Sequence, residues 1–194
     1  MLTRRPAHPI VWLAQIALLL SLGVAGRASP AAAPAPDTPT AKYEVRFMEE
    51  MIHHHMMAVH MSETCLMRAF HPELQALCQQ MKTAQQQEIM TMEQWLVSWY
   101  GVAQGMHEMN PGHHNQMQKL AELSGAEFEI EFMQQMIRHH RMAIVKSSQC
   151  VQRAYHAELQ DLCASIVRTQ LTEMEQMEAW LCTWYALCRP RGSS

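Results

Sequence analysis

Apolar residues recur at steps of three and four along two stretches of the chain, from Phe47 to Gly101 and from Phe132 to Ala186. Such spacing places the apolar side chains of a helix on one face. Each stretch is interrupted once, at "AFHPEL" and at "AYHAEL", and neither Gly nor Pro occurs inside the segments on either side. Each stretch is therefore predicted to form two long helices joined by a short turn.

The two stretches are copies of one another. An offset of 85 residues aligns them without a gap, and 26 of the 55 aligned positions are identical. Repetition of a unit that cannot bury its apolar face alone indicates that the copies pack together. The sequence therefore predicts an all-α protein, a four-helix bundle built from two repeated helical hairpins.

The bundle is predicted to occupy residues 43–188. Its segments are a first repeat (43–101), a Met/His-rich linker (102–123) and a second repeat (124–188), followed by a tail (189–194). Within the linker, "NQMQKLAEL" is predicted to form a short extra helix. Ser124 and Glu127 are predicted to form a capping box where the second repeat begins.

Residues 1–28 have the composition of a secretory signal peptide, with Arg4 and Arg5 ahead of the apolar run "IVWLAQIALLLSLGVAG". An uncleaved N-terminal anchor is the alternative interpretation. Residues 29–42 are rich in Pro and Ala and are predicted to be a disordered leader. The protein is thus predicted to be periplasmic or secreted, with no membrane contact after cleavage.

The formal net charge is −3 and no basic block occurs, which disfavours nucleic acid as a partner. All six cysteines lie beyond the predicted cleavage site, and an even number of cysteines in an exported chain favours disulfides. Two pairs flank the two turns symmetrically. The third lies near the C-terminus, where intermolecular pairing is the alternative. The predicted pairs are Cys65 with Cys78, Cys150 with Cys163, and Cys182 with Cys188.

The symmetric cysteine pairs set the register of each hairpin. If each pair is bonded, residues equally far from the centre of the turn lie level, so His55 is predicted to face Glu88. A rotation of about 100° per residue independently turns both side chains inward, with His53 and His60 pointing away and His54 at the edge. The same construction pairs Met51 with Met92, Met48 with Trp95, His140 with Glu173, Met136 with Met177, and Met133 with Trp180.

Methionine is unusually frequent, with 18 in 194 residues, and both inward faces combine it with His and Glu. Thioether sulfur and imidazole nitrogen are good ligands for Cu(I) and Ag(I). The alternative is a buried His–Glu hydrogen bond with methionine as core filler. The glutamates would be either ligands or acceptors that orient the histidine rings. The candidate core ligands are Met48, Met51, His54, His55, Glu88 and Met92, then Met133, Met136, His139, His140, Glu173 and Met177.

The linker sequence "GMHEMNPGHHNQM" is also rich in Met and His, although it has no core to fill. A short His-rich tract is in itself a metal-binding signature. The candidate accessory metal ligands are Met106, His107, Met109, His113, His114 and Met117.

With "FMEEMIHHHMMAVHM" matched by "FMQQMIRHHRMAI", each followed by "Q..E...M..WL..WY", the chain resembles the family called domain of unknown function 305 over residues 43–185. The resemblance implies a ferritin-like four-helix bundle, export and, for some members, copper binding and copper resistance. The hairpin cysteines and His53 depart from the family pattern. The implied site residues are Met51, His54, His55, Gln85, Glu88 and Met92, then Met136, His139, His140, Gln170, Glu173 and Met177.

Three functions compete. The first is an exported protein that binds Cu(I), or Ag(I), for sequestration, resistance or passage to a copper-transfer protein. The second is a ferritin-like di-iron oxidoreductase, which is disfavoured because only Glu88 and Glu173 recur as inward carboxylates. The third is a non-metal interaction module stabilised by disulfides. No nucleophile–base set, phosphate loop or dinucleotide fingerprint occurs, so the chain is predicted not to be an enzyme.

Overall fold

The structure is a computed structural model that describes residues 33–102 and 111–188, with the backbone alone for residues 111–116. Within these ranges it contains helices and no strand. The helices are α1 Thr38–Arg68, α2 Pro72–Tyr100, α3 Pro111–Glu122, α4 Gly125–Arg153 and α5 Ala157–Tyr185. The predicted all-α class and the two hairpins are confirmed, because α1 packs along α2 and α4 along α5. The hairpins meet along α1 and α4, and α3 lies against both of these helices.

Helix α1 begins at Thr38, so the disordered leader predicted over residues 29–42 is wrong for its last part. The Asp37 side chain caps the helix by accepting a hydrogen bond from a first-turn N–H at 2.8 Å, which is a favourable way to begin a helix. Ahead of the cap, Ala35 is buried and its N–H donates to the Tyr100 hydroxyl. The Pro/Ala-rich composition therefore conceals a capped helix start that packs on the bundle.

The linker carries α3, which begins at Pro111, four residues earlier than predicted. Ser124 is the N-cap of α4, but its side chain makes no capping hydrogen bond, so the predicted capping box with Glu127 is wrong. Gly125 has a φ of +56°, in the left-handed region that favours glycine.

Disulfides close both hairpins next to their turns, as predicted. The bonded pairs are Cys65–Cys78, Cys150–Cys163 and, at the end of α5, Cys182–Cys188. In the two hairpin disulfides the Cα atoms are 6.3 and 6.1 Å apart. Packed helix axes ordinarily lie about 8–10 Å apart, so each hairpin narrows at its disulfide.

The buried core forms two hydrophobic clusters. Each cluster contains residues next to the turn of one hairpin and residues from the opposite end of the other hairpin, where its two helices are not joined. One cluster joins Met48 and Met51 of α1 with the Cys150–Cys163 disulfide. The other joins Met133 and Met136 of α4 with the Cys65–Cys78 disulfide. The hairpins are therefore antiparallel, and the middles of α1 and α4 lie between the clusters.

The predicted signal peptide (1–28), the tail (189–194) and residues 103–110 of the linker lie outside the described residues. Of the helices that the structure does describe, none is long and apolar enough to cross a membrane.

Candidate metal centre

An imidazole–carboxylate pair lies inside each hairpin. The Nε2 atom of His55 is 2.7 Å from a carboxylate oxygen of Glu88, and that of His140 is 2.8 Å from one of Glu173. Both rings are fully buried, whereas the carboxylate side chains are 17 % and 9 % exposed. The pairing predicted from the cysteine symmetry is confirmed in both copies.

Each carboxylate determines which ring nitrogen is left for a ligand. The carboxylate oxygen accepts, so Nε2–H donates and the lone pair of the neutral ring lies on Nδ1. The Nδ1 atoms of His55 and His140 are buried and have no hydrogen-bond partner among the described residues. A carboxylate on the far nitrogen is the usual orienting partner of a metal-binding histidine. The geometry therefore suits a metal ion at Nδ1, with the glutamate as the orienting acceptor.

Thioethers flank each pair. Met51 lies one helical turn from His55 on the same face of α1, and Met136 stands in the same relation to His140. The six methionines predicted to face inward have no exposed surface: Met48, Met51, Met92, Met133, Met136 and Met177. The first three belong to one hydrophobic cluster and the last three to the other. Each imidazole therefore has its own set of buried sulfur atoms.

His54 and His139 lie where the two hairpins meet. Their rings stack with centroids 3.5 Å apart, and the His139 Nε2–H donates to the His54 carbonyl at 2.9 Å. Both ring nitrogens of His54 and Nδ1 of His139 are buried without a hydrogen-bond partner in the described ranges. His54, which was predicted to lie at the edge of the inward face of α1, therefore lies where α1 contacts α4. Together with His55 and His140, these rings form a histidine layer across the middle of the bundle.

Burial keeps the two central rings uncharged. Burial, with smaller contributions from the neighbouring His55 and His140 rings, lowers the pKa of His54 to about 3. Burial likewise holds the pKa of His139 well below its usual value of 6.5. Both rings are therefore neutral at neutral pH and keep a lone pair, as metal binding by histidine requires.

The metal-free protein is expected to lose stability as the pH falls below about 6.5. In the unfolded chain both histidines take up a proton near this pH, whereas folded His54 stays neutral down to about pH 3. The unfolded state then binds more protons, so the free energy of unfolding falls by up to about 1.4 kcal/mol per pH unit for each histidine. Urea unfolding at a series of pH values between neutral and mildly acidic measures this slope.

A His54→Gln/His139→Gln variant provides the control for the pH dependence. Its free energy of unfolding is expected to change less steeply with pH than that of the wild type, because neither glutamine titrates. An unchanged slope would assign the acid sensitivity to other groups.

Further buried polar atoms inside the hairpins lack hydrogen-bond partners within the described part of the chain. They are the side-chain amides of Gln85 and Gln170 and the hydroxyls of Ser62 and Ser147. Burying such groups unpaired is unfavourable. The family resemblance predicts the two glutamines as site residues but not the two serines. Each serine lies seven residues after the inward histidine of its copy, on the same helix face as His55 or His140.

Sequence reasoning also missed a polar cluster that joins the two hairpins, which we call the clasp. The Glu129 carboxylate accepts from the backbone N–H groups of Phe70 and His71 at 2.8 and 2.9 Å, and from His71 Nδ1–H at 2.6 Å. The Tyr185 hydroxyl donates to the same carboxylate. Trp184 stacks on the His71 ring with centroids 3.9 Å apart. The clasp thus ties the turn of the first hairpin to helix α4 of the second.

A second clasp repeats the first with the two copies exchanged. Glu44 of α1 accepts from the turn of the second hairpin, at the backbone N–H groups of Tyr155 and His156 and at His156 Nδ1–H. Tyr100 donates to the same carboxylate, and Trp99 stacks on His156. Burial alone would raise the pKa of each clasp carboxyl, but the accepted hydrogen bonds outweigh it and lower both pKa values. The recurrence of Glu at an offset of 85 residues is the sequence signal that identifies the clasps.

For most of the accessory ligands predicted in the linker, the structure does not describe the side chain. Met106, His107 and Met109 lie outside the described residues, and for His113 and His114 only the backbone of α3 is described. Met117 is half-buried against the hydrophobic core. Among the described side chains, no group of three or more His, Cys, Asp or Glu is placed to hold a metal ion.

A family model described as domain of unknown function 305 (DUF305) matches residues 44–181, which cover most of both hairpins. The chain belongs to the DUF305 family. This identification confirms the resemblance found in the duplicated His-His helices and the segments that follow them. No curated protein sequence matches this DUF305 protein.

Several solved structures are similar to this DUF305 protein. CopM in a Cu(I)-bound form is 32% identical, with a TM-score of 0.66 over 73% of this chain and 97% of the CopM chain. CopM in an Ag-bound form obtained by co-crystallisation is 31% identical, with a TM-score of 0.64 over 73% and 97% of the two chains. A DUF305 fragment from Deinococcus radiodurans is 25% identical, with a TM-score of 0.64 over 77% and 98%. The similarity spans nearly the full length of these proteins, so they share the helical bundle.

Proposed function

We propose that this protein is exported and binds Cu(I), or Ag(I), inside its two hairpins, for copper sequestration, resistance or transfer. One observation carries the proposal. In each hairpin a buried imidazole Nδ1, on a ring oriented by a carboxylate, lacks a partner among the described residues and shares its helix face with buried thioethers. Imidazole with thioether is a soft ligand set that suits these ions. The similarity to CopM, which has Cu(I)-, Cu(II)- and Ag-bound forms, supports the same metals.

We propose two separate core sites rather than one shared site. In the first, His55 Nδ1 and the sulfur atoms of Met51 and Met92 are the ligands, Glu88 orients the ring, and Met48 adds a thioether one turn further on. The second site has the equivalent residues 85 positions later. The division of the methionines between two hydrophobic clusters supports this arrangement.

The cysteines support export and limit the ligand set. Three disulfides suit an oxidising compartment such as the periplasm or the cell exterior. Since all six cysteines are bonded, none offers a thiolate to the metal, and methionine and histidine supply the soft ligands. We propose binding without catalysis, with a copper-transfer protein as the partner that exchanges the ion.

A competitive Cu(I) titration tests the proposed function. The disulfide-bonded protein is titrated against a chromophoric chelator, beside a His55→Ala/His140→Ala variant whose folding is checked by circular dichroism. Removing the imidazole from both core sites is expected to weaken high-affinity binding by about 100-fold or more, equivalent to about 2.8 kcal/mol per site.

His53→Arg is the matched control for this titration. His53 is exposed on the same helix as His55, and the second copy carries Arg138 at the equivalent position. Its Cu(I) affinity is expected to equal that of the wild type. Equal affinities of the wild type and the double variant would exclude the core as the site. A wild type without tight binding would contradict copper handling and favour a disulfide-stabilised interaction module.

A further inference from the structure

A groove of about 420 Å³ lies between α1 and the linker helix α3. One side of the groove is a single face of α1, whose lining residues are spaced three or four apart. The other side is formed by α3, and the first of its lining residues is Met117. The lining residues are His60, Glu63, Thr64, Met67, Met117, Gln118 and Ala121. Solvent reaches the groove, since the side chain of His60 is 41% exposed and Met67 is 77% exposed.

Two metal-donor residues of this groove, His60 and Met67, are not conserved between the two copies of the repeat. The second copy has Val145 in place of His60 and Gln152 in place of Met67. His60 and Met67 therefore occur only in the first copy, and it is helix α1 of this copy that forms the groove with α3. Packing does not explain Met67, because a side chain exposed to this extent buries little apolar surface.

A carboxylate lies next to the groove histidine. Glu63 lies 3.5 Å from His60 Nδ1 and 2.9 Å from the Lys82 ammonium. A carboxylate next to Nδ1 favours the neutral tautomer that carries its proton on Nδ1 and its lone pair on Nε2. The groove thus resembles the core sites in placing an imidazole beside a carboxylate with thioethers nearby, but the nitrogen–oxygen distance is 3.5 Å here and 2.7–2.8 Å in the core.

We propose that this groove is a third, exposed site that captures Cu(I) or Ag(I) through His60, Met67 and Met117. The inference rests on the proposed copper-binding function and adds to it the place where the ion first binds. One imidazole and two thioethers make a soft ligand set. The exposed, flexible Met67 side chain suits rapid exchange of the ion, whereas the buried core sites suit its retention.

Methionine-methyl NMR during a titration with Ag(I) tests the groove site. Ag(I) is a redox-inert, diamagnetic substitute for Cu(I), and each methyl signal is assigned by a single Met→Leu substitution. We expect the signals of Met67 and Met117 to shift as Ag(I) is added, in addition to those of Met51 and Met136 in the core.

The matched variant is His60→Val/Met67→Gln, which gives the first copy the residues of the second. It is expected to abolish the shift of the Met117 signal, to remove one bound Ag(I) and to leave the core shifts unchanged. A Met117 shift that persists in the variant would contradict the site. Shifts confined to the core methionines would overturn the groove site and leave the proposed function standing, whereas no shift at any methionine would overturn both.

Discussion

Replacing Glu129 with alanine is expected to lower the free energy of unfolding by about 3–5 kcal/mol. The carboxylate is fully buried and accepts two backbone N–H groups, the His71 imidazole and the Tyr185 hydroxyl. Its removal leaves these donors without an acceptor, and each unpaired buried donor is unfavourable by about 1–3 kcal/mol. It also removes the negative charge that stabilises the N-terminus of α2.

Guanidinium unfolding followed by circular dichroism measures the contribution of the clasps. Glu127→Ala is the control, because Glu127 is exposed on α4 two residues before Glu129. Its effect is expected to stay below about 1 kcal/mol. Glu44→Ala is expected to have a similar effect to Glu129→Ala, since the carboxylate of the second clasp accepts from equivalent donors. A loss no larger than that of Glu127→Ala would show that the clasps do not hold the hairpins together.

Removing one hairpin disulfide with Cys65→Ala/Cys78→Ala is expected to lower the free energy of unfolding by about 3 kcal/mol. The bond closes a loop with a sequence separation of 13 residues, and its loss returns that conformational freedom to the unfolded chain. The Cys150→Ala/Cys163→Ala variant should lose a similar amount, because its loop has the same length. Denaturant unfolding of each variant beside the wild type measures the difference.

The third disulfide supplies the control for this comparison. Cys182 and Cys188 lie at the end of α5, where the last residues can fray without unfolding the bundle. Cys182→Ala/Cys188→Ala is therefore expected to change global stability less than either hairpin pair. An equal loss for all three pairs would show that the end of α5 belongs to the cooperative unit.

The sequence predicts well what depends on local spacing. Two cysteines placed symmetrically about a turn fix the register of a hairpin, and that register alone places His55 level with Glu88. The fully buried Met51 follows from the same helical period. These predictions succeed because the constraint and the contact lie within one pair of adjacent helices.

Contacts between the two hairpins were not predictable in the same way. The stacking of His54 on His139 and the bond from His71 to Glu129 join residues 85 and 58 positions apart. The helical period does not link such residues, and the repeat offset that relates His54 to His139 does not say that they touch, because their proximity depends on how α1 crosses α4. The internal repeat shows that these residues matter in both copies, but the structure is needed to show that each copy contributes half of every clasp. The early start of α1 has a different cause, since a single capping residue outweighs the Pro/Ala composition around it.

The exchange of carboxylates between the two clasps bears on how such a chain arose. In a lone hairpin the glutamate would have no turn N–H groups to accept from, and the turn of the same hairpin would present its N–H groups to no carboxylate. Two identical hairpins related by a twofold axis would satisfy each other fully, as the subunits of a symmetric dimer do. The present chain therefore has the organisation of a fused homodimer. Fusion replaces an encounter that depends on protein concentration with an intramolecular one, and it frees the two halves to diverge, as the lone His60 and Met67 already show.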